Sequence, residues 1–386
     1  MIKSFAYFVL LGLFFISCTQ DAGVSESSLV LSDTLSLNID EETFYETMST
    51  FQFEENGKEY LFHLNDRKGK LQGIVFDLEK GTIAYKVPIF QDGPNSISTP
   101  LGIARMGKDR YLIPSSSSYI YQINSEGEIT DKWSLWDKES FFKDFCRTQV
   151  ISGLNAPLLM KDSTWYFMQA HVGFPKKKEQ WTQTPIFAFL NLSGDKLGKT
   201  GFCYPDIFLE DEAEGVRAYS SEFSYDSDGS RTAVSFEYAD SIYVSSDFAH
   251  VKAICAKSCY LEHLQYKPYD VQQDLMSRLR DSESKPRYWH LIYDKYRKVW
   301  YRFALHEYDM PKTESPQEFT KTGQPFSIII LDKNFNVIGE TVFPAGQYAY
   351  RMWFVGRKGL YLSMNNVKNP IHDENRLVFQ CLELNP

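Results

Sequence analysis

The sequence predicts an all-β fold, a single β-propeller of six blades, with seven blades as the alternative. Three observations favour it. Phe, Trp and Tyr make up 16% of the chain, and aromatic residues are enriched in β-strands. Apolar segments separated by Gly, Asn or Asp turns recur in units of about 40–60 residues, which is typical of propeller blades. The segment Leu29 to Leu37 alternates apolar and polar residues, as a half-buried strand does.

The blades are predicted from runs of short strands that end in a polar turn. Five units are complete and the sixth lacks a strand, which Leu29–Leu37 would supply by pairing with the C-terminal chain. In order, the units are Tyr60–Val87, Leu101–Leu135, Thr164–Gly194, Glu222–Val244, Phe326–Glu340 and Met352–Leu384. Two β-sandwiches are the competing architecture, but no Pro/Gly-rich linker divides the middle of the sequence.

Two segments depart from the strand pattern and predict short helical insertions. The first is Asp137–Cys146, where three phenylalanines share one helical face. The second is Asp270–Arg280, where apolar residues recur at helical spacing and Asp270 is the expected N-cap.

The N-terminus predicts a lipoprotein signal. Lys3 precedes an apolar run from Phe5 to Ile16, too short for a membrane span, and Ser17-Cys18 follows. We therefore expect residues 1–17 to be a signal peptide, residues 18–28 a lipidated Cys18 and flexible tether, and residues 29–386 the propeller. The expected location is the outer membrane, on the periplasmic side or at the cell surface.

The charge of the chain disfavours one class of partner. The full chain carries 41 basic and 50 acidic residues, and removal of residues 1–17 takes away only Lys3. An acidic domain lacks the basic face that phosphate backbones require, so no nucleic acid partner is expected. Contact with a membrane is expected through the lipid anchor alone.

Three local signatures, together with the strand pattern and Cys18, resemble a family of uncharacterised Bacteroidota lipoproteins, known only as a domain of unknown function and related to TolB-like six-bladed propellers. The signatures are Phe90–Asn95, the pair Leu291–Arg297 and Val299–Phe303, and the block Phe326–Glu340 with its continuation Leu360–Asn366. The resemblance implies a fold and a compartment. It implies no catalytic site.

Candidate ligand-binding residues are the polar side chains expected at a mouth of the central channel. Asn95 lies in a loop between blades, Arg302 lies between aromatic residues of a strand, and Asn365 and Asn366 follow a late strand. An arginine facing the channel would contact an anion or a carbohydrate. The alternative for all four is a structural role, in turns and buried hydrogen bonds.

No metal or other cofactor is predicted. His250, Cys255, Cys259 and His263 are zinc ligand types, but their spacing matches no common zinc module, so a Cys255–Cys259 disulfide or two buried thiols is favoured. Asp226–Ser230 resembles half of a calcium loop without its distal Glu, and a hairpin turn is favoured. Disulfide pairing stays open among Cys146, Cys203, Cys255, Cys259 and Cys381.

The sequence contains no nucleophile elbow, zinc-protease motif or phosphate-binding loop. The leading hypothesis is therefore a lipid-anchored module outside the cytoplasm that binds a protein or glycan in the cell envelope. The alternative is a carbohydrate-active hydrolase or lyase with its site at the channel mouth. A third hypothesis, a scaffold subunit, would require a large exposed apolar patch.

Overall fold

Six small antiparallel sheets form a ring, so the chain is a six-bladed β-propeller as predicted. The computed structural model describes residues 27–47, 49–67, 69–117, 119–134, 147–172, 177–191, 196–210, 223–262, 264, 274–310 and 323–386. The signal peptide, Cys18, most of the tether and the predicted helix Asp137–Cys146 lie outside these residues.

The strands follow one another blade by blade. Blade 1 contains β2 (Thr50–Glu55), β3 (Lys58–Arg67), β4 (Lys70–Asp77) and β5 (Thr82–Pro88); blade 2 contains β6 (Ala104–Gly107), β7 (Arg110–Ser115), β8 (Tyr119–Ile123) and β9 (Ile129–Ser134). Blade 3 contains β10 (Arg147–Ile151), β11 (Leu159–Lys161), β12 (Thr164–Val172), β13 (Phe187–Asn191) and β14 (Lys196–Lys199). Blade 4 contains β15 (Phe223–Ser227), β16 (Thr232–Phe236), β17 (Ser241–Ser245) and β18 (Lys252–Cys255).

Blade 5 contains β19 (Arg287–Asp294), β20 (Val299–Leu305), β21 (Phe326–Leu331) and β22 (Val337–Phe343). It begins well before the predicted unit at Phe326, because a long connection separates its second strand from its third. Blade 6 contains β23 (Ala349–Val355), β24 (Leu360–Ser363), β25 (Arg376–Asn385) and the N-terminal β1 (Ser28–Asn38).

The ring closes as the sequence predicts, by pairing the two ends of the domain. Strand β1 runs antiparallel to β25, with Ser28 opposite Asn385 and Leu37 opposite Leu377. Leu29 and Leu37 are buried, whereas Leu31 is 61% exposed beside a shift in register between Leu31 and Thr34. The outermost strand of blade 6 thus comes from the opposite end of the chain and is buried near its two ends.

The core is divided among the six interfaces between neighbouring blades. Each of six apolar clusters combines residues of two adjacent blades. At the closing interface, Leu61 and Phe76 of blade 1 pack with Phe354 and Phe379 of blade 6. A blade therefore buries both faces only within the ring, which explains why its strands are apolar on both faces.

Helical structure is sparse among the described residues. The described residues contain one α-helix, α1 (Leu275–Ser284), which overlaps the second predicted insertion. Its N-cap is Asp274, which accepts hydrogen bonds from the backbone N–H groups of Met276 and Ser277. The expected cap, Asp270, lies outside the described residues. Two short 3₁₀ helices span Lys178–Gln183 and Asp206–Leu209. Within the described chain, no helix has the length and apolarity needed to cross a membrane.

Candidate functional site

All six blades contribute to one central cavity of about 350 Å³. Its wall takes residues from the innermost strands β2, β6, β15, β19 and β23 and from the loop after β10. The polar and charged side chains in this wall are Ser49, Thr50, Gln52, Arg105, Ser152, Asp226, Ser227, Tyr293 and Lys295. Because the cavity lies where all the blades meet, a ligand there contacts side chains that are far apart in sequence.

Asp226 is the only carboxylate in the described wall of this cavity. Its Oδ1 accepts a hydrogen bond from the Ser227 N–H at 2.7 Å, and its Oδ2 accepts one from the Tyr293 N–H at 2.8 Å. Burial raises the pKa of Asp226 to about 6, although the two N–H donors act in the opposite direction. The carboxyl thus joins blade 4 to blade 5.

Two cations lie in the same wall, each with its position fixed by neighbouring groups. The Arg105 guanidinium lies 4.1 Å from the centre of the Phe53 ring and 3.5 Å from a Glu55 carboxylate oxygen. Lys295 is exposed, and its Nζ donates to Gln52 Oε1 at 3.1 Å. Because an amide holds this ammonium group, its charge stays available to a ligand.

The rest of the wall is apolar and aromatic. Phe51, Tyr293, Trp353 and Phe354 line it together with aliphatic side chains such as Leu154. Two donors of this wall, Arg105 Nε and Trp353 Nε1, have no hydrogen-bond partner among the described residues. Both atoms are buried, and buried donors without a partner are uncommon in folded proteins.

Arg302, a predicted ligand contact, lies outside this wall and is completely buried. Its guanidinium donates to the backbone carbonyl oxygens of Ala239, Asp240 and Ala256 and to Ser235 Oγ. It also stacks on the Tyr288 ring at 3.4 Å. These contacts join blade 5 to blade 4, which is the structural role that the sequence left open.

The predicted asparagines likewise bond to main chain. Asn95 Oδ1 accepts from the Ile129 N–H at 3.1 Å, at the outer strand of blade 2. Asn365 Oδ1 accepts from the Val378 N–H at 2.8 Å, and Asn366 Nδ2 donates to the Tyr348 carbonyl at 3.0 Å. The structure does not bring the four predicted residues together, none lines the central cavity, and their role in ligand binding stays a prediction.

The prediction for the run of cysteines and histidines from His250 to His263 is also wrong for its two cysteines. Cys255 and Cys259 are both exposed, and no disulfide joins them, so neither a disulfide nor two buried thiols describes this pair. His250 Nδ1 lies 2.7 Å from Asp247 Oδ2, and His263 lies outside the described residues. The part of the chain that the structure describes contains no group of three or more side chains able to hold a metal ion.

The turn after Asp226 is a hairpin, as favoured from the sequence. It joins β15 to β16, and Asp228 Oδ1 accepts the backbone N–H groups of Ser230 and Arg231 at 2.9 and 2.7 Å. Sequence reasoning assigned Asp226 to this turn and missed its place in the cavity wall. A carboxylate that follows Phe223 and Tyr225 within a strand was the available signal.

These observations define the class of the molecule: a six-bladed propeller closed by its N-terminal strand, with one central cavity that every blade lines. Residues 26–342 match the family model described as "Domain of unknown function (DUF4221)". The chain belongs to this family, and the predicted resemblance to a propeller family of unknown function is confirmed.

Comparison with known proteins adds a close structural relative. The chain is similar to a member of the DUF4221 family from Bacteroides vulgatus, with 37% identity, coverage of 94% of this chain and 99% of that chain, and a TM-score of 0.85. A match to a hydrazine synthase from Kuenenia stuttgartiensis has 8% identity and covers 83% of this chain and 74% of that chain. Its TM-score of 0.40 is too low to support an argument. No curated protein matches the chain.

Proposed function

We propose that this protein is a lipid-anchored binding module of the cell envelope, which takes part of a protein or glycan partner into its central cavity. Cys18 would carry the lipid and hold the propeller at the outer membrane, on the periplasmic side or at the cell surface. The observation that carries the proposal is the cavity itself, to which all six blades contribute polar and apolar side chains.

The chemistry of the wall supports binding through a small protruding group. A volume of about 350 Å³ is at the lower end of the roughly 300–1,000 Å³ typical of pockets for small ligands. Aromatic rings provide apolar contact, while Lys295 donates and Asp226 accepts. A sugar unit or a single side chain of a partner matches this combination better than a flat protein surface does.

One observation favours the alternative, a carbohydrate-active hydrolase or lyase. The pKa of Asp226, near 6, suits a group that exchanges protons at neutral pH. Glycoside hydrolysis by the common mechanisms requires a second carboxyl group on the other side of the scissile bond. Asp226 is the only carboxylate in the described wall, which favours binding over hydrolysis.

The test compares variants that differ in whether the cavity is filled. Ala104→Trp places a large ring in the wall, and Ala253→Trp places the same ring on the exposed outer strand β18. The full-length proteins are probed on a glycan array and cross-linked to envelope proteins in cells. We expect Ala104→Trp to lose partners that wild type and Ala253→Trp retain. Equal retention by both variants would contradict a role of the cavity, and release of sugar fragments by wild type would favour the enzyme.

A further inference from the structure

Lys295 brings a positive charge to the central cavity, in the turn between β19 and β20, and no described carboxylate pairs with it. Lys295 is exposed, and only one of its three N–H donors is used, by Gln52 Oε1 at 3.1 Å. The neighbouring carboxylate of Glu54 instead accepts hydrogen bonds from Tyr296 and Arg357. Lys295 therefore keeps two donors and its charge for a ligand.

The other cation of this wall, Arg105, is neutralised within the fold. Its Nη2 lies 3.5 Å from Glu55 Oε1, and only 12% of its side chain is exposed. Its guanidinium also covers the Phe53 ring, at 4.1 Å from the ring centre. Because an unpaired cation favours a partner of opposite charge, Lys295 predicts an anionic group on the ligand, close to the turn between β19 and β20.

Two hydroxyl groups of the wall are already used by the fold. Thr50 Oγ1 donates to the Phe62 carbonyl at 2.6 Å, and Ser227 Oγ donates to the Arg231 carbonyl at 2.9 Å. A hydroxyl group has one proton to donate, so neither side chain can also donate to a sugar hydroxyl. Of the two kinds of partner in the proposed function, these bonds favour a protein over a glycan.

Much of the accessible wall is apolar. Phe51 of blade 1, Leu154 of blade 3 and Val355 of blade 6 line the cavity and are half-buried, so each keeps some surface outside the core. Pro157 and Leu158 are half-buried in the same wall. Contact with these side chains removes apolar surface from water, which stabilises a complex with an apolar group.

We propose that the central cavity binds a carboxylate attached to an apolar group, with the carboxylate at Lys295 and the apolar group on Phe51, Leu154 and Val355. This inference rests on the proposed function and names the part of the partner that enters the cavity. The C-terminus of a protein that ends in an apolar residue has this chemistry, and so does a free apolar acid. A volume of about 350 Å³ suits one such group.

The experiment compares ligands that differ in the carboxylate or in the apolar group. The probes are acetyl-glycyl-phenylalanine, its C-terminal amide, acetyl-glycyl-serine and 3-phenylpropionate. Affinities are measured by saturation-transfer NMR on the full-length protein in lipid nanodiscs, with empty nanodiscs as the blank. The variants are Lys295→Met, Lys295→Arg, Lys298→Met and Ala104→Trp. Lys298 is the matched control, because it is exposed in the same turn and does not line the cavity.

We expect wild type to bind acetyl-glycyl-phenylalanine, and to bind its amide about fivefold more weakly. Acetyl-glycyl-serine, which lacks the ring, should bind more than about tenfold more weakly. Lys295→Met should lose the preference for the acid, whereas Lys295→Arg and Lys298→Met should keep it, and Ala104→Trp should lose measurable binding. Raising the ionic strength from about 0.1 to about 1 M should remove the preference, since the Debye length falls from about 10 to about 3 Å.

Equal affinity of wild type for acid and amide, equal affinity of Lys295→Met and Lys298→Met for the acid, or no binding of any probe to wild type would overturn the inference. In these cases the proposed function stands if Ala104→Trp loses the partner that wild type captures in cells, and it fails with the inference if Ala104→Trp retains that partner. Weaker binding of 3-phenylpropionate than of the peptide acid assigns a chain terminus as the ligand, and equal binding assigns a free apolar acid.

Discussion

Replacing Arg302 by methionine tests whether this buried arginine holds two blades together. The variant keeps most of the side-chain volume and removes the guanidinium that reaches three carbonyl oxygens and one hydroxyl group of blade 4 and its following loop. Each buried acceptor left without a donor costs about 1–3 kcal/mol. Methionine carries no charge, so the variant avoids the cost of burying one, and this offsets part of the loss from the four acceptors. We therefore expect the free energy of unfolding to fall by about 3–5 kcal/mol.

The corresponding thermal shift follows from the size of the domain. Unfolding entropy is about 2.1 cal/mol/K per residue near 60 °C, or roughly 0.75 kcal/mol/K for about 360 residues. A loss of about 3–5 kcal/mol then lowers the Tm by about 4–7 °C. Arg110→Met serves as the control, because Arg110 is exposed, and its effect should stay within about 0.5 kcal/mol.

The assay is urea unfolding followed by tryptophan fluorescence, together with differential scanning calorimetry. Arg302→Lys should fall between wild type and Arg302→Met, since an ammonium group keeps the charge but cannot reach all four acceptors. A loss below about 1 kcal/mol for Arg302→Met would refute the inter-blade role. Loss of partner binding at unchanged stability would instead support the ligand contact that the sequence predicted.

Three further predictions concern the anchor, the cavity and the packing of blade 2. Cys18→Ala should abolish labelling with an alkyne fatty acid in cells and move the protein from the detergent phase to the aqueous phase; unchanged labelling would exclude Cys18 as the lipid site. Because burial raises the folded-state pKa of Asp226 to about 6, above its unfolded value of about 3.9, stability should fall as the pH rises from about 4 to 6, by at most about 3 kcal/mol. Asp226→Asn should lack this fall in stability. If urea unfolding gives wild type and Asp226→Asn the same dependence of stability on pH, the raised pKa of Asp226 is wrong. Gly102→Ala should yield little folded protein, since its φ is +118° and a Cβ would lie 1.4 Å from the Ser152 carbonyl oxygen, whereas Gly229→Ala, at φ +87° with open space around it, should cost only about 1–2 kcal/mol.

The ring and its closure could be predicted because both depend on local patterns. Alternation in Leu29–Leu37 marks a strand with one buried side, and the final unit lacked one strand, so their pairing followed without knowledge of the other blades. The boundaries were harder to place. The first two strands of blade 5 lie before a long connection, and residues 287–305 therefore did not join the unit at Phe326 in the sequence pattern.

The four candidate residues show why the contacts of a polar side chain are difficult to predict from sequence. Polar residues among apolar ones in a strand, such as Arg302, must be satisfied by something, and the sequence does not say whether a ligand or a backbone carbonyl does it. The fold answers this for Arg302 by placing the loop carbonyls of blade 4 around its guanidinium.

Asp226 is the opposite case, since its turn-like context Asp-Ser-Asp-Gly-Ser suggested a purely local role. The two aspartates of this motif differ in their contacts because Asp226 lies in strand β15, whereas Asp228 lies in the turn that follows it. Asp228 Oδ1 accepts the N–H groups of its own turn, whereas Asp226 Oδ2 accepts the N–H of Tyr293, 67 residues away. Asp228 is thereby held within its own turn, where it also pairs with Arg231, and Asp226 is held in the shared centre of the ring, where burial raises its pKa. The raised pKa that makes Asp226 a candidate for function therefore comes from its burial where the blades meet, which the local sequence around it does not show.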